Sequence, residues 1–213
     1  MIIRIKDFKM INEKYPNGWD LNTFKKLNTF KSRIEYCDKY LQKINSGSGR
    51  IVYKIDNDKV LKLAKNIKGI AQNSTEIEYS NYNDISDIIA EVFEYDDNDL
   101  WLEMELANKL TNKLFLDIVG ISFKHFVTGL KYYYFNEIKP SRYLRYDKPE
   151  YMDELWENEF TSSILNFISN YNILIGDLEK LSTYGIVKRN GQDNIVMIDY
   201  GLDNEVYSKY YKR

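Results

Sequence analysis

The sequence has few of the side chains on which thiol, imidazole and zinc chemistry depend. It contains one cysteine, Cys37, and one histidine, His125, in 213 residues. One cysteine cannot form an internal disulfide, and zinc sites built from Cys and His need about four ligands. A Ser-His-Asp or Cys-His enzyme would have to use His125 as its only imidazole. Any catalysis is therefore expected to use carboxylates, lysine and oxygen-bound cations such as Mg²⁺.

Charge of one sign and long hydrophobic runs are also missing. Lys and Arg number 30 and Asp and Glu 32, a net charge of −2, so no global positive field favours nucleic acid or an anionic membrane. No apolar run approaches the roughly 18 residues that a membrane span needs, and residues 1–9 lack the apolar core of a signal peptide. With 44% hydrophobic and 29% charged residues, the chain is predicted to be a cytoplasmic protein with a packed core and no membrane partner.

The first patterned segment is helical. From residue 20 to residue 41, apolar side chains recur at spacings of three or four, which predicts an amphipathic helix. These side chains are Phe24, Leu27, Phe30, Ile34, Cys37 and Leu41. Because Cys37 lies on the apolar face, it is expected to pack in the core rather than act as a reactive thiol. Residues 1–42 are therefore predicted to be an N-terminal extension that carries this helix.

Two further segments follow, each with its own pattern. Residues 43–106 are rich in β-strand patterns, and the predicted elements are a glycine loop (46–49), a hairpin of two strands (50–55 and 59–64), a helix (69–89) and a second hairpin (91–106). Residues 107–213 are mostly helical by pattern, with a helix at about 151–169 and a hairpin at 186–198 whose turn is Asn190-Gly191. The segment 199–201 reads Asp-Tyr-Gly.

The order of the polar and glycine residues is more informative than any one of them. Lys62 follows the glycine loop on a strand, and Glu76 follows Lys62 on the next predicted helix. Asp177 and Asp199 come far downstream, each after an apolar run. Taken singly, a Gly-x-Gly pair occurs by chance, a lysine on a strand is usually solvated and Asp-Tyr-Gly is short.

In this order the sequence resembles the protein-kinase-like fold over residues 45–205. The stretch Lys65-Asn66-x-x-Gly69-x-x-Gln72-Asn73-x-x-Glu76 is most similar to small, divergent kinase-like proteins encoded by bacteriophages. The resemblance implies an α+β fold with two reduced lobes. Residues 43–106 would form a small antiparallel β-lobe with one helix, and residues 107–213 a mostly helical lobe that is truncated after Asp-Tyr-Gly.

The resemblance also implies a nucleotide site for ATP. Gly47, Ser48 and Gly49 would cradle the phosphates, because a glycine loop lets backbone N–H groups approach them closely. Lys62 would supply a positive charge to the phosphates, held in place by a glutamate on the following helix. Glu76 is the favoured partner because an isoleucine follows it as in the family pattern, and Glu78 remains an alternative. Glu103 would lie where the nucleotide meets the hinge between the lobes.

The catalytic and metal residues follow from the same resemblance. Asp177 matches the aspartate that orients or deprotonates the attacking hydroxyl, and Asp199 matches the aspartate that holds Mg²⁺. Where the family has a second metal ligand, this chain has Ser182 or, with one inserted residue, Thr183. A hydroxyl is a poorer ligand than the expected amide, which weakens the prediction of two metal ions.

Two functions therefore remain open at this point. The first is a phosphotransferase that moves the γ-phosphate of ATP to a hydroxyl on an unknown protein or small-molecule acceptor. The second is an inactive pseudokinase-like binding module, such as a viral protein that engages a host factor or a virion component in the host cytoplasm. The departure at Ser182 or Thr183 and the lack of the helices expected after Gly201 favour the second. Retention of Lys62, Asp177 and Asp199 together favours the first. Transfer of AMP instead of phosphate is a third alternative.

Other features are expected to be structural. Lys139, Arg142, Arg145 and Lys148 alternate with Tyr143 and Tyr146 in a loop that could bind nucleic acid or an acidic partner. A solvated surface loop is the simpler interpretation, and nucleic acid is not an expected partner. His125 is expected to be structural, and the aromatic run 132–135 is expected to pack in the core or at an interface.

Overall fold

A computed structural model describes residues 15–140 and 143–212 and divides them between a β-rich and a helical part. The elements of the first part are α1 (Leu21–Lys25), α2 (Phe30–Tyr40), β1 (Gln42–Ser46), β2 (Arg50–Lys54), β3 (Lys59–Ala64), α3 (Ile67–Ser80), β4 (Val92–Tyr95) and β5 (Trp101–Glu105). The strands form one antiparallel sheet in the order β1-β2-β3-β5-β4. Both hairpins predicted between residues 50 and 106 are confirmed.

The second part is mostly helical and carries a small sheet. Its elements are β6 (Asn108–Lys109), α4 (Asn112–Val119), α5 (Phe123–Tyr133), α6 (Met152–Glu157), α7 (Glu159–Asn170), α8 (Ile175–Leu178), β7 (Tyr184–Arg189), β8 (Gln192–Met197) and α9 (Asn204–Tyr210). The predicted Asn190-Gly191 turn joins β7 to β8, and both residues have positive φ, 53° and 81°. The α+β class expected from the sequence is confirmed.

The two faces of the five-stranded sheet pack against different partners. Because successive side chains of a strand point to opposite faces, Leu61 and Leu63 lie on one face of β3 while Val60 and Lys62 lie on the other. The first face packs on the N-terminal helices through Phe24 and Trp101, both fully buried. The second face belongs to the core that continues into the helical part. All six residues of β3 are buried, as a central strand requires.

The predicted helix at 20–41 is wrong as a single helix, because it breaks between Lys25 and Phe30. The Thr29 side chain accepts a hydrogen bond from the backbone N–H of Ser32, which starts a new helix at that point. The predicted helix at 151–169 breaks for the same reason at Asn158, whose side chain accepts from the N–H of Thr161.

Two other boundaries differ from the sequence prediction. The helix expected at 69–89 ends at Ser80 and is followed by a 3₁₀ turn at Asn83–Ile85. Strand β1 was not predicted, because all five of its residues are exposed and it has no apolar alternation.

The end of β8 is hydrogen-bonded to residues 88–90, which precede β4 of the five-stranded sheet. Met197 donates its backbone N–H to the Ile88 carbonyl oxygen and accepts from the N–H of Ala90. These bonds lead the chain directly into the segment 198–201, next to α3. None of the helices in the described ranges combines the length and apolarity that a bilayer crossing requires.

The packing of the N-terminal helices can be tested at Phe24. Phe24→Ala is expected to lower the free energy of unfolding by about 3–5 kcal/mol, because it removes a fully buried ring between α1 and the sheet. Denaturant unfolding would measure the loss. Lys31→Ala, at an exposed ion pair on α2, is the control and should change stability by less than about 1 kcal/mol. Equal stability of Phe24→Ala and wild type would show that these helices do not support the sheet.

Candidate active site

A cleft of about 330 Å³ lies between the β-rich and the helical parts, and most of the predicted site residues line it. The volume lies within the roughly 300–1,000 Å³ range of small-molecule sites. The glycine loop and Lys62 line it from the sheet. Asp177, Ser182 and Asp199 line it from the helical part.

The glycine loop is held against the start of α3. Lys65 donates its N–H to the Gly49 carbonyl oxygen at 2.9 Å, and the Asn66 side chain donates to the Ser48 carbonyl oxygen at 3.0 Å. A Cβ atom at Gly69 would come within 2.2 Å of that Gly49 oxygen, so the contact requires glycine at position 69. Gly47 donates its backbone N–H to the Arg50 carbonyl oxygen at 2.9 Å, which closes the loop, and a Cβ atom at Gly47 would meet open space.

Lys62 and Glu76 form the buried ion pair expected from the sequence. Lys62 Nζ lies 2.8 Å from both Glu76 carboxylate oxygens and donates to the Ile198 carbonyl oxygen at 2.6 Å. Lys62 is 4% exposed and Glu76 is fully buried. Glu78, the alternative partner, is exposed on another face of α3 and accepts from the Tyr82 hydroxyl. The structure thus pairs Lys62 with Glu76.

Arg50, the first residue of β2, is the site residue that sequence reasoning missed. Its guanidinium holds the Glu76 carboxylate with both terminal nitrogens, Nη1–Oε2 at 2.7 Å and Nη2–Oε1 at 3.0 Å. The same Nη2 donates to Asp199 Oδ1 at 2.6 Å. Arg50 lines the cleft and is only 7% exposed. Two cations and two carboxylates therefore form one cluster: Arg50, Lys62, Glu76 and Asp199, hereafter the charge cluster.

The pKa values of the buried groups follow from this arrangement. Burial by itself raises the pKa of the Glu76 carboxyl, but the charges and hydrogen bonds of Arg50 and Lys62 outweigh it and hold the pKa below its usual value. Burial lowers the pKa of Lys62, and the nearby Arg50 lowers it further, while Glu76 and Asp199 oppose the shift. Burial also works against the charge of Arg50, but Glu76 and Asp199 raise its pKa above the usual value.

Asp199 reaches the cluster through a tight turn. Gly201 lies so close to α3 that a Cβ atom there would come within 2.3 Å of the Gln72 carbonyl oxygen. The backbone N–H of Tyr200 points to Glu76 Oε1 at 3.3 Å. The turn therefore needs glycine at position 201, and it brings the Asp199 carboxylate to Arg50 with 62% of the side chain still exposed.

Asp177 lies on the wall of the cleft that faces the sheet. It belongs to the short helix α8, and its Oδ1 accepts from Lys180 Nζ at 2.6 Å. This hydrogen bond is the main cause that raises the pKa of Lys180 above its usual value. Asp177 is 22% exposed in its side chain, so a hydroxyl in the cleft can approach it.

The two predicted hydroxyl ligands have different surroundings. Ser182 is exposed and lines the cleft. Thr183 is buried, and its Oγ1 donates to the Asp177 carbonyl oxygen at 2.6 Å, so its assignment as a metal ligand is corrected to a structural role. Of the two alternatives, Ser182 alone faces the cleft.

The prediction that Glu103 binds the nucleotide is also corrected, because its side chain does not line the cleft. On β5 it is paired in register with Leu61, and both side chains face the N-terminal helices. Glu103 accepts from the Tyr15 hydroxyl at 2.7 Å and lies 3.7 Å from Lys59 Nζ. Met104, the next residue, is the one that lines the cleft.

A second unpredicted residue, Tyr211, borders the cleft beside the glycine loop. Its hydroxyl lies 3.2 Å from Ser48 Oγ, and Lys68 Nζ lies 4.5 Å from its ring centroid. Tyr211 follows α9, which packs on α3. No local sequence pattern signals this position.

The residues at Asp199 do not suit a dedicated magnesium site, because the Asp199 carboxylate is already paired with Arg50. Asp177, which also lines the cleft, is paired with Lys180, and Ser182 contributes a hydroxyl. Mg²⁺ usually binds one or two carboxylates together with substrate phosphates, so each of these two carboxylates would have to exchange a cationic partner for the metal. Among residues 15–140 and 143–212, no group of three or more His, Cys, Asp and Glu side chains could hold a metal ion.

The remaining candidates lie away from the cleft. His125 stacks on Tyr151 with ring centroids 4.3 Å apart, and Cys37 is buried, which raises the pKa of its thiol. In the basic loop, Lys148 pairs with Asp153 at 3.2 Å, and Arg142 lies outside the described residues.

Solved structures that are similar to this chain include the following three. The streptomycin-ATP-APH(2'')-IIa ternary complex has 16% identity and a TM-score of 0.35, over 82% of this chain and 72% of that chain. The ADP-bound aminoglycoside phosphotransferase APH(2'')-Ib has 15% identity and a TM-score of 0.38, over 85% and 68%. The gentamicin-APH(2'')-IIa complex has 16% identity and a TM-score of 0.36, over 82% and 71%. No protein-family model and no curated protein matches the sequence.

The choice between Glu76 and Glu78 can be measured as stability. Glu76→Gln is expected to lower the free energy of unfolding by about 3–5 kcal/mol, because it leaves two buried cations short of a carboxylate. Glu78→Gln, on an exposed position of the same helix, is the matched control and should stay within about 0.5 kcal/mol of wild type. Denaturant unfolding of both variants would check this. Similar losses for both would contradict the assignment.

The depressed pKa of Glu76 predicts a dependence of stability on pH. A carboxylate whose pKa is lower in the folded state contributes stability that is complete above its unfolded pKa of about 4.3 and is lost as pH falls through the folded value. Wild type should therefore lose stability on acidification below about pH 4.5. Glu76→Gln should show a shallower loss over that range than wild type, measured by unfolding at a series of pH values. An unchanged slope would contradict the pKa shift.

Proposed function

We propose that the chain is an ATP-dependent phosphotransferase that transfers the γ-phosphoryl group to a hydroxyl acceptor. The observation that carries the proposal is the buried Lys62–Glu76 pair, which faces a cavity between the glycine loop and Asp177. A buried lysine is costly and is tolerated here because Glu76 pairs with it. Since Lys62 also lines the cavity, its charge points to an anionic ligand there.

The cleft offers both apolar and polar surfaces to a nucleotide. Its apolar lining suits a flat base and consists of Val52, Val60, Met104, Leu106 and Ala107. The glycine loop and Lys62 supply polar lining. In the proposed complex the glycine loop and the Lys62 ammonium bind the phosphates.

In the proposed reaction an acceptor hydroxyl attacks the γ-phosphorus. A new oxygen–phosphorus bond forms, the bond to the β-phosphate oxygen breaks and ADP leaves with the electron pair. The proton of the acceptor hydroxyl passes to the Asp177 carboxylate, which is partly exposed in the cleft. Lys180, 2.6 Å from Asp177 Oδ1, orients that carboxylate. The acceptor is a protein or small-molecule hydroxyl, and transfer of AMP is the alternative outcome of the labelling test below.

No step of this proposal is assigned to magnesium. The sequence predicts Mg²⁺ at Asp199 with Ser182 or Thr183, but Arg50 already neutralises the Asp199 carboxylate. Magnesium enters only through the nucleotide phosphates, which bind it in solution.

A second candidate function is a nucleotide-binding module without transfer activity, which engages a protein partner such as a host factor or virion component. The Arg50–Asp199 pair favours it, because the carboxylate expected to bind metal is instead part of an internal ion pair. Both candidates require nucleotide in the cleft, and they differ only in whether a phosphoryl group is transferred.

Nucleotide binding can be tested by thermal unfolding with ATP, in Mg²⁺ and separately in EDTA. A ligand at a hundredfold excess over Kd stabilises the folded state by about 2.7 kcal/mol. At roughly 2–4 °C per kcal/mol, wild type should show a clear rise in Tm in at least one of the two buffers. Lys62→Met should show no such rise in Tm. This variant is expected to fold, because Arg50 remains as a cationic partner for Glu76. Lys54→Met, at the half-buried last residue of β2, whose ammonium donates to Asn57, is the control and should keep the rise in Tm. No shift for wild type at millimolar ATP in either buffer would contradict both candidate functions.

Transfer can be tested with labelled ATP. If the chain is a phosphotransferase, label from the γ-position should pass to protein or water, and Asp177→Asn should slow it by about 10²–10⁴-fold while the ATP-induced rise in Tm remains. Lys188→Met, on the exposed part of β7, serves as the control. Label from the α-position would indicate AMP transfer. Binding without transfer from either position would support the binding module and contradict the enzyme.

A further inference from the structure

Arg50 changes the balance of charge in the cleft beside Asp199. In a cleft that binds triphosphate, a free carboxylate next to the phosphates repels them, and a divalent cation normally offsets this repulsion. Here the carboxylate in that place, Asp199, already has a cation 2.6 Å away. The charge cluster has two positive and two negative members, so it is neutral before any metal binds.

Arg50 is also anchored and cannot easily leave. Its two terminal nitrogens hold Glu76, and Nη1 lies 3.4 Å from the Asn73 side-chain oxygen. It is 7% exposed and starts a strand that pairs along its whole length with β3. A bidentate, buried guanidinium of this kind is a fixed feature of the cleft.

Asp199 is less buried than Arg50 and is held by fewer contacts. Its side chain is 62% exposed, and Arg50 is its ion-pair partner. A metal ion at Asp199 would therefore lie close to a guanidinium that does not move, and the two like charges would repel each other. The arrangement therefore disfavours Mg²⁺ at this carboxylate, whose own charge Arg50 already offsets.

We propose that Arg50 takes the place of a divalent cation at Asp199, so that the cleft binds a nucleoside triphosphate without requiring Mg²⁺. This inference rests on the proposed nucleotide site and specifies its metal requirement. It assigns Arg50 as a specificity-determining residue, and it predicts that the metal requirement depends on the charges of Arg50 and Asp199 together.

The experiment is calorimetric titration of ATP into the full chain, in EDTA and in millimolar Mg²⁺. Wild type is expected to bind with affinities that agree within about threefold between the two buffers. Arg50→Met leaves Asp199 without its cation, so this variant should bind ATP at least about tenfold more weakly in EDTA than in Mg²⁺. Lys54→Met, which removes a cation from the far end of the same strand, should match wild type in both buffers.

Asp199→Asn distinguishes an Arg50 that replaces the metal from an Asp199 that binds it, because the two roles predict opposite changes in ATP affinity. The variant is expected to fold, because the Asp199 side chain is largely exposed. If Arg50 replaces the metal, this variant removes a negative charge near the phosphates and leaves the charge of Arg50, still held by Glu76, less offset, so ATP should bind about two- to fivefold more tightly in EDTA. If Asp199 is a metal ligand, ATP should bind more weakly in Mg²⁺. In the double variant Arg50→Met with Asp199→Asn, the metal dependence caused by Arg50→Met should disappear again.

The outcomes distinguish this inference from the proposed function. Wild type that binds ATP only in Mg²⁺, or Asp199→Asn that loses affinity in Mg²⁺, would overturn the inference and leave the nucleotide site standing. Wild type that binds ATP in neither buffer would overturn the proposed function itself. Equal affinities in both buffers for wild type, with tighter binding by Asp199→Asn in EDTA, would support both.

Discussion

The arrangement of the cleft depends on one buried carboxylate, that of Glu76. Its two oxygens hold the guanidinium of Arg50 and the ammonium of Lys62, and one of them also faces the Tyr200 backbone N–H. These partners come from β2, β3 and the turn after β8, so one side chain joins three segments distant in sequence. Without Glu76 two cations could not remain buried next to each other, because each would carry an uncompensated desolvation cost.

Close backbone contacts hold the segments around this carboxylate in place. Gly49 meets Gly69 where the loop touches α3, and Gly201 meets the Gln72 carbonyl oxygen where the Asp-Tyr-Gly turn touches the same helix. A side chain at Gly69 or Gly201 would push one wall of the cleft away from α3. Because buried ion pairs add little net stability, the value of the charge cluster lies in specifying a single geometry for the cleft.

The sequence predicted what depends on local pattern. The two hairpins between residues 50 and 106 and the Asn190-Gly191 turn follow from strand patterns and turn residues that lie close together in the chain, and the structure contains all three. Arg50 could not be predicted, because a cation next to a glycine loop looks solvated until its partners, 26 and 149 residues away, are brought to it. Glu103 was misassigned because the family resemblance fixes the strand but not which face a given residue occupies. The breaks at Thr29 and Asn158 were missed because the apolar spacing continues across them while the side-chain caps begin new helices.

A crystal structure of the chain with ATP, grown in EDTA, would test most directly whether the charge cluster forms a nucleotide site that needs no metal. We expect density for the phosphates between the loop at Gly47 and Lys62, with Arg50 still joining Glu76 to Asp199. Nucleotide bound elsewhere, or a cleft that stays empty in EDTA and fills only when Mg²⁺ displaces Arg50 from Asp199, would contradict it.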